Sequence, residues 1–545
     1  MDALGWHVNP MLLARSLEGS DLREPLLLLW GAAGLVLLIA CANLASLQLV
    51  RWSRRRKEMA VRAALGAGGL RLIRLLLAES LAVSAAGGCL GLLAGFWCVR
   101  LLGVSTLLPR SVQLRMDPAL LGYAACVSLA AGVLFGLAPA RMARRIDLAS
   151  ELKERGSGRH VARGGFMAAE VALAFMLSVG AGLLIRSFAR LSAVDPGFAT
   201  ENIVTARISL PPSRYLQADQ RAAFYRQVLE RMHGLPAVRA AAVVNFVPMA
   251  GADAGTVFLV EGRPEPRPNE IPTASLRTVS PDYFRTFGIP ILAGRDFTEQ
   301  DLEHVSIIVN EAFARKWWPG ENAVGKRLHL GPPGAPGPWI SVAGIARNVK
   351  QFGLDAADNP PVLFLPFLNQ PVMTLAVRGA VDAPVLAAAV RAVDAGLTIQ
   401  SPRTMRQAID ESLAHPRLRT RLLSAFALLA LALAAVGIFG VTAYSVGRRT
   451  REIGIRLALG ADPGDVRRMV LRQALRQTAW GIAAGAAGAL ALKGLLVHWL
   501  FGITATDWAA FAMAALVSLA AVAAAVYVPA RRAAAVDPVR SLRVE

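Results

Sequence analysis

The sequence predicts an integral membrane α-helical protein of about seven spans that carries one large extracytoplasmic mixed α+β domain. Three observations predict it. Seven stretches are long and apolar enough to cross a bilayer, which takes about 20 helical residues. One long polar segment, 189–417, separates the fourth stretch from the fifth. Finally, the cations gather beside alternate ends of the apolar stretches, the usual mark of the cytoplasmic side.

The first predicted span covers Pro25 to Val50, the second Glu79 to Leu102, the third Pro118 to Ala138 and the fourth Phe166 to Ile185. The last three cover Leu422 to Val446, Thr478 to Leu500 and Trp508 to Ala530. Gly, Ala and Ser are frequent in all of them, which favours close helix packing in lipid. Arg51, Arg54, Arg55, Arg56 and Lys57 follow the first span, and Arg141, Arg144 and Arg145 follow the third. Arg448, Arg449 and Arg451 follow the fifth, and Arg531 and Arg532 the last. Alternation then places 189–417 and the N-terminus outside and the C-terminus in the cytoplasm. In the outer segment, β-branched runs at Ile203–Leu210, Ala240–Phe246, Val305–Asn310, Trp339–Ile345 and Met373–Arg378 predict strands. Gln220–His233 and Ala383–Ala395 have helical periodicity.

The chain has 545 residues, of which 54% are apolar and 18% charged. Its mean hydropathy is +0.45. That balance is too apolar for a purely water-soluble protein. The formal net charge of +21 raises nucleic-acid binding, but the cations sit beside apolar runs, so no nucleic-acid partner is expected and the lipid bilayer is. Cys41, Cys89, Cys98 and Cys126 lie in or beside apolar stretches. They form neither a disulfide framework nor a zinc pattern and read as small buried apolar residues. The N-terminus has no basic region leading into a short apolar core, so no cleavable signal is expected.

The chain repeats itself. RRRKEMAVRAALGAGGLRLIRLLLAESL from Arg54 matches RRTREIGIRLALGADPGDVRRMVLRQAL from Arg448. Glu58 aligns with Glu452, Arg62 with Arg456, Gly66 with Gly460 and Ala67 with Ala461. GLAPARMARRIDLASEL from Gly136 likewise matches VYVPARRAAAVDPVRSL from Val526. Each copy thus holds a span, a basic segment and two more spans. Glu58/Arg62 and Glu452/Arg456 are i,i+4 pairs of favourable order on a helix lying along the membrane surface. Gly66 and Gly460 fit helix stops that need positive φ. A basic run beside a span is by itself ordinary positive-inside anchoring. The repeated E-x3-R-x2-LGA pattern is more than anchoring requires.

At these residues the sequence resembles the MacB/FtsX-like permeases of the ABC superfamily, and most closely their duplicated branch, the acidobacterial duplicated orphan permeases. LLIACANLASLQLVRWSRRRKEMAVRAALGA, VDPGF from Val194, VSPDYFRTFGIPILAGRDFTEQD from Val279 and AVGIFGVTAYSVGRRTREIGIRLALGA are similar to its patterns. The resemblance covers essentially the whole chain. It implies an N-terminal remnant of an outer domain at 1–24, a first FtsX-like three-span unit at 25–150 and a cytoplasmic linker with the fourth span at 151–188. A MacB-like periplasmic core domain at 189–417 and a second three-span unit at 418–545 follow. A complete duplicated member would begin with a further span and a further outer domain, so the chain resembles a partial one.

The resemblance implies a permease subunit of an ABC exporter or mechanotransmission complex in the bacterial inner membrane. Its cytoplasmic helices would dock on a separate ABC ATPase subunit, with Glu58, Arg62, Gly66, Ala67, Glu452, Arg456, Gly460 and Ala461 as the coupling residues. A second permease chain and periplasmic or outer-membrane partners stay open. So do two other readings, a transmembrane relay regulating an extracytoplasmic enzyme and a partial permease without an ATPase.

No catalytic residues, metal site or cofactor are expected. GENAVGKR, Gly320 to Arg327, approaches a phosphate-binding loop, but Arg327 replaces the Ser or Thr that holds magnesium, so a turn is expected instead. The seven histidines are scattered without metal-ligand spacing, and no nucleophile–base motif appears. Asn43 is a candidate for an interhelical hydrogen bond. Gln48, Lys493 and His498 lie near span ends, where polar groups snorkel. Trp317 and Trp318 read as core.

Overall fold

The structure, a computed structural model, describes residues 27, 29–46, 69–104, 117–143 and 157–535, apart from 252, 268–269 and 357–358. It divides into a unit at Leu191–His415 and a helical unit made of the chain on either side of it.

The helical unit begins with α1 (Leu29–Ser46), α2 (Gly69–Val104), α3 (Pro118–Ala143) and α4 (Ser157–Ser192). Helices α2 and α3 pack closely because small residues face each other: a Cβ added at Gly88 would touch Ser128, and one at Gly132 would meet Ser84. Trp30 of α1 meets Tyr123 of α3 edge to face at 5.7 Å. Cys89, Cys98 and Cys126 were expected to be buried but are exposed. Of the apolar stretch of α2, Leu77–Arg100, Ser80 is buried and the rest is exposed or half-buried. Its apolar face is one that lipid would cover.

Leu191–His415 contains two sheets. Its first elements are β1 (Ile203–Ser209), α5 (Ala218–His233), β2 (Val238–Val244), β3 (Gly255–Val260) and β4 (Thr273–Thr278). Next come α6 (Tyr283–Phe287), β5 (Ile291–Gly294), β6 (Ile307–Asn310), α7 (Glu311–Trp317), β7 (Arg327–Leu330) and β8 (Trp339–Ala346). The unit ends with β9 (Val362–Leu365), β10 (Val372–Gly379), α8 (Ala383–Val393), β11 (Ile399–Thr404) and α9 (Met405–Ser412). One antiparallel sheet has the order β11-β1-β10-β2. Ala206 and Ile208 of β1 pack there with Phe224 and Val228 of α5 and Leu386 and Val390 of α8. The other sheet runs β5-β8-β6-β9-β4-β3-β7 and closes through a β7–β8 pairing. Phe258, Phe313, Trp318 and Leu363 fill its core.

All five predicted strands and both predicted helices are present, with ends shifted by a few residues. The sequence reading missed β3, β4, β5, β7, β9 and β11. These are short, and β11 (IQSPRT) is a largely exposed edge strand that carries Pro402, a residue sheets tolerate mainly at edges.

Two of the resembling motifs prove to be folding devices. In VDPGF, Gly197 has φ +82, and a Cβ there would strike the backbone of Asn348. In GRDFTEQD, Arg295 grips Asp301 with two nitrogens at 2.6 and 2.8 Å, while the Thr298 N–H and the Ser306 hydroxyl also donate to it. The near-match GENAVGKR forms turns at Gly320 and Gly325, both with positive φ. Trp318 is buried, and Trp317 packs against Phe258.

The helical unit resumes with α10 (Ala414–Arg448), α11 (Thr450–Ala458), α12 (Pro463–Ala491), α13 (Lys493–Val497) and α14 (Trp508–Ala534). Five described helices, α1, α2, α4, α10 and α14, are long and apolar enough to cross a membrane. The other two predicted spans are helical as well. Helix α3 carries the predicted Pro118–Ala138. Helix α12 opens with Arg467, Arg468, Arg472 and Arg476 and ends at Ala491, short of the predicted Leu500. Lys493 and His498 lie exposed around the break that follows.

Helix α4 is the centre of the bundle, with 61% of its apolar stretch buried against 33% for α10 and 28% for α14. Gly481 and Gly485 of α12 let it approach so closely that an added Cβ would lie 2.7 Å from Ala168 O or 2.6 Å from Ala172 O of α4. At its other end α4 is held by Arg186–Asp507 at 2.6 Å and by Ser187 Oγ, which accepts from the Phe501 N–H at 2.8 Å.

Candidate functional site

The repeated segment is described in its second copy, at the junction of α10, α11 and α12. Helix α10 stops at Arg448, and Arg449 leaves helical geometry with φ −99 and ψ 12. The chain then re-enters a helix at Thr450, whose hydroxyl donates to Gly447 O at 2.9 Å. Glu452 lies in the first turn of α11, where a negative charge meets the positive end of the helix.

Gly460 closes α11. It has φ +93, donates its N–H to Leu457 O at 3.1 Å, and is followed by Ala461, whose N–H donates to Arg456 O at 3.0 Å. That pair of bonds is a Schellman closure, which favours Gly at the positive-φ position. Asp462 then caps α12 by accepting from the Gly464 N–H at 3.0 Å, with Pro463 in the first turn. The elbow between α11 and α12 is therefore held by a backbone helix stop and a side-chain cap in succession.

One face of α11 is braced. Ile453 is buried against Val466 of α12 and Ala533 of α14, with Val446, Leu457 and Val470 around them. Arg456 Nη1 lies 3.0 Å from Met469 Sδ, and Arg449 Nη1 is 3.4 Å from Gln473 Oε1. The adjoining face is open, with Arg456 at its edge reaching both Met469 and Glu452. Glu452 and Arg456 form the expected i,i+4 pair at 2.7 Å, with about half of each side chain exposed. Ile455 and Leu459 flank them at 43% and 82% exposure. Residues 452, 455, 456 and 459 fall on one helical stripe, so an ion pair and two bare aliphatic side chains share a surface.

Sequence reasoning picked out Glu452, Arg456, Gly460 and Ala461, and the structure brings all four into this elbow. It did not pick out Ile455 or Leu459, although their spacing from Glu452 signals them. Glu58, Arg62, Gly66 and Ala67 lie outside the described residues, as does Gln48. Among the described residues no cluster of metal-binding side chains occurs. The Asn43 candidate is realised, since its amide donates to Leu433 O of α10 at 2.7 Å. A buried acid inside a predicted span, Glu170 of α4 at 1% exposure, is a polar residue that the sequence reading passed over.

A bundle of apolar helices, a separate α/β unit and a capped helix beside a span define a multi-pass membrane protein. Comparison with known families specifies it further. The FtsX-like permease C-terminal model matches twice, at residues 30–148 and 424–538, and the MacB-like periplasmic core domain model matches residues 170–395. The chain belongs to the FtsX-like permeases that carry a MacB-like periplasmic core domain. It is 26% identical over 301 residues to the macrolide export ATP-binding/permease protein MacB of Vibrio parahaemolyticus, covering 50% of this chain and 43% of that one. It is 28% identical over 296 residues to the probable syringafactin export ATP-binding/permease protein SyfD of Pseudomonas syringae pv. tomato, covering 49% and 42%. The chain thus spans less than half the length of these curated relatives. The crystallised periplasmic region of MacB from Actinobacillus actinomycetemcomitans is 12% identical, with 41% of this chain and 97% of that one covered at a TM-score of 0.27.

Proposed function

We propose that this chain is the permease subunit of an ABC-type exporter or mechanotransmission complex of the bacterial inner membrane, driven by an ATPase on a separate chain. The observation that carries this reading is the open face of α11. Glu452 and Arg456 offer charge, Ile455 and Leu459 offer apolar area, and the adjoining face is locked to α12 and α14. A push on such a helix reaches the spans without being lost in bending. GENAVGKR lacks the Ser or Thr that holds magnesium, so no ATPase role is given to that loop.

In this reading α11 and its counterpart at Glu58, Arg62, Gly66 and Ala67 lie in the cytoplasm and grip the partner. Leu191–His415 lies outside and moves with α4 and α10, the two helices that continue from it. The N-terminus is outside and the C-terminus cytoplasmic, as the cation pattern favours. The two separate FtsX-like matches support a place in the duplicated branch. The named relatives export macrolides or, by assignment, syringafactin, which supports an amphipathic cargo for this chain.

Purification of the tagged chain from its native cell should recover a Walker-motif ATPase. Replacing Glu452 and Glu58 together with Ala should reduce that recovery several-fold, and adding Leu459→Asp should abolish it. Recovery unchanged in the triple variant would remove the coupling assignment.

A further inference from the structure

Glu170, Asn43 and Gly437 meet inside the helical unit, and nothing described above uses them together. Glu170 on α4 is 1% exposed and Asn43 on α1 is 6% exposed. A Cβ added to Gly437 of α10 would land on both Asn43 Oδ1 and Glu170 Oε2. Glycine is therefore what allows three helices to bring these oxygens to one point. The register that aligns Glu58 with Glu452 also aligns residue 43 with residue 437. Asn43 thus touches its own counterpart in the other repeat.

The hydrogen bonding there is incomplete. Asn43 Oδ1 and Glu170 Oε1 are both buried without a partner. The Asn43 amide cannot be turned round to supply a donor, because its Nδ2 already donates to Leu433 O at 2.7 Å. Turning it would set one carbonyl against another. No Lys, Arg, His, Asp or Glu occurs in 29–46 or in 422–447, the stretches of α1 and α10 that carry Asn43 and Gly437. The nearest cations on the other packed helices fall about two turns before this level, at Arg163 of α4 and Arg476 of α12, and those of α14 begin at Arg531. A carboxylate in that setting would face an amide oxygen with no adjacent compensating charge. A single hydrogen atom resolves the conflict.

We propose that Glu170 is a proton-binding residue of the membrane unit. Its neutral carboxyl O–H donates to Asn43 Oδ1 and seats against Gly437, pinning α1, α4 and α10 where the two repeats touch. Loss of that proton leaves two acceptors facing each other and parts α1 from α4, while the Asn43 amide still holds α1 to Leu433 of α10. The site is therefore a protonation-dependent joint between the repeats, independent of how α11 engages its partner.

Infrared difference spectroscopy on the full chain in lipid nanodiscs at neutral pH tests this. The spectrum of the parent minus Glu170→Gln should contain a carboxylic-acid C=O band. In Asn43→Leu that band should persist but move, since its acceptor is gone. In thermal unfolding Glu170→Gln, which keeps a donor, should stay near the parent, whereas Glu170→Ala should fall clearly below it. A difference spectrum that contains only carboxylate bands would overturn the proposal and indicate a cation or ordered water between the oxygens. An acid band unmoved in Asn43→Leu would remove Asn43 as its acceptor, and it can be read even where Glu170→Gln does not fold.

Discussion

Asp296 and Asp301 lie five positions apart in one motif and respond to acid in opposite ways. The Arg295 guanidinium, with the Thr298 N–H and the Ser306 hydroxyl, holds Asp301 below the usual carboxylate range. Its folded value lies below its unfolded value of about 3.9. The stability it contributes is therefore complete above about pH 4 and lost as pH falls further. Burial pushes Asp296 up to about 6, against the bond it accepts from the Phe297 N–H. Its charged form is penalised above pH 6, and the penalty is relieved between about pH 6 and pH 4. Asp301→Asn should lower stability at pH 7 by about 1–2 kcal/mol, with Arg295 half exposed. Asp296→Asn should raise the unfolding temperature at pH 7 and leave it unchanged near pH 4. Thermal unfolding of the two variants across that range checks both signs. The motif was legible in the sequence, but the opposite behaviour of its two acids was not. That depends on which one faces Arg295 and which one is merely buried.

At the scale of elements, α11 and α12 show what glycine does at two kinds of position. Gly460 holds φ +93 at the end of α11, where an added side chain strains the backbone. Gly460→Ala should cost about 1 kcal/mol. In the proposed complex it should also reduce ATPase recovery, because the face bearing Glu452 is no longer fixed in direction. A melt of the purified chain reads the first effect and co-purification the second. Gly485 has no such conformational demand, and its role is proximity to Ala172 of α4. Gly485→Leu should cost more, about 1–3 kcal/mol of overpacking, and should lower the yield of folded protein in detergent-solubilised size-exclusion profiles. The helix stop at Gly460 was readable from the LGA pattern. The closeness at Gly485 was not, since a Gly/Ala-rich span indicates close packing without naming the neighbour.

For the whole molecule, the cation pattern and the proposed function make one joint demand on topology. Single cysteines at Glu452 and Asp465 should react with a thiol reagent only when it reaches the cytoplasm. Cysteines at Glu201 and Arg406 should react with a membrane-impermeant reagent added from outside. Labelling of all four from one side would overturn the orientation. The native Cys89, Cys98 and Cys126, exposed in the helical unit, are replaced first so that they add no background signal.

The sequence by itself determined the division into an apolar helical part and an α/β segment, the repeat, and the polar pairs of the surface helix. These follow from periodicity, composition and spacing along the chain, and they survive without knowledge of neighbours. Only the tertiary structure decided that α4 is the centre, that Ile455 and Leu459 stand bare beside Glu452, and that Asn43, Glu170 and Gly437 converge. Those residues are 127 and 267 positions apart in successive steps along the chain. The physical reason is that burial and hydrogen-bond satisfaction are properties of places where distant segments meet. A single acid in an apolar run reads the same whether it faces lipid, water or the oxygen of another helix.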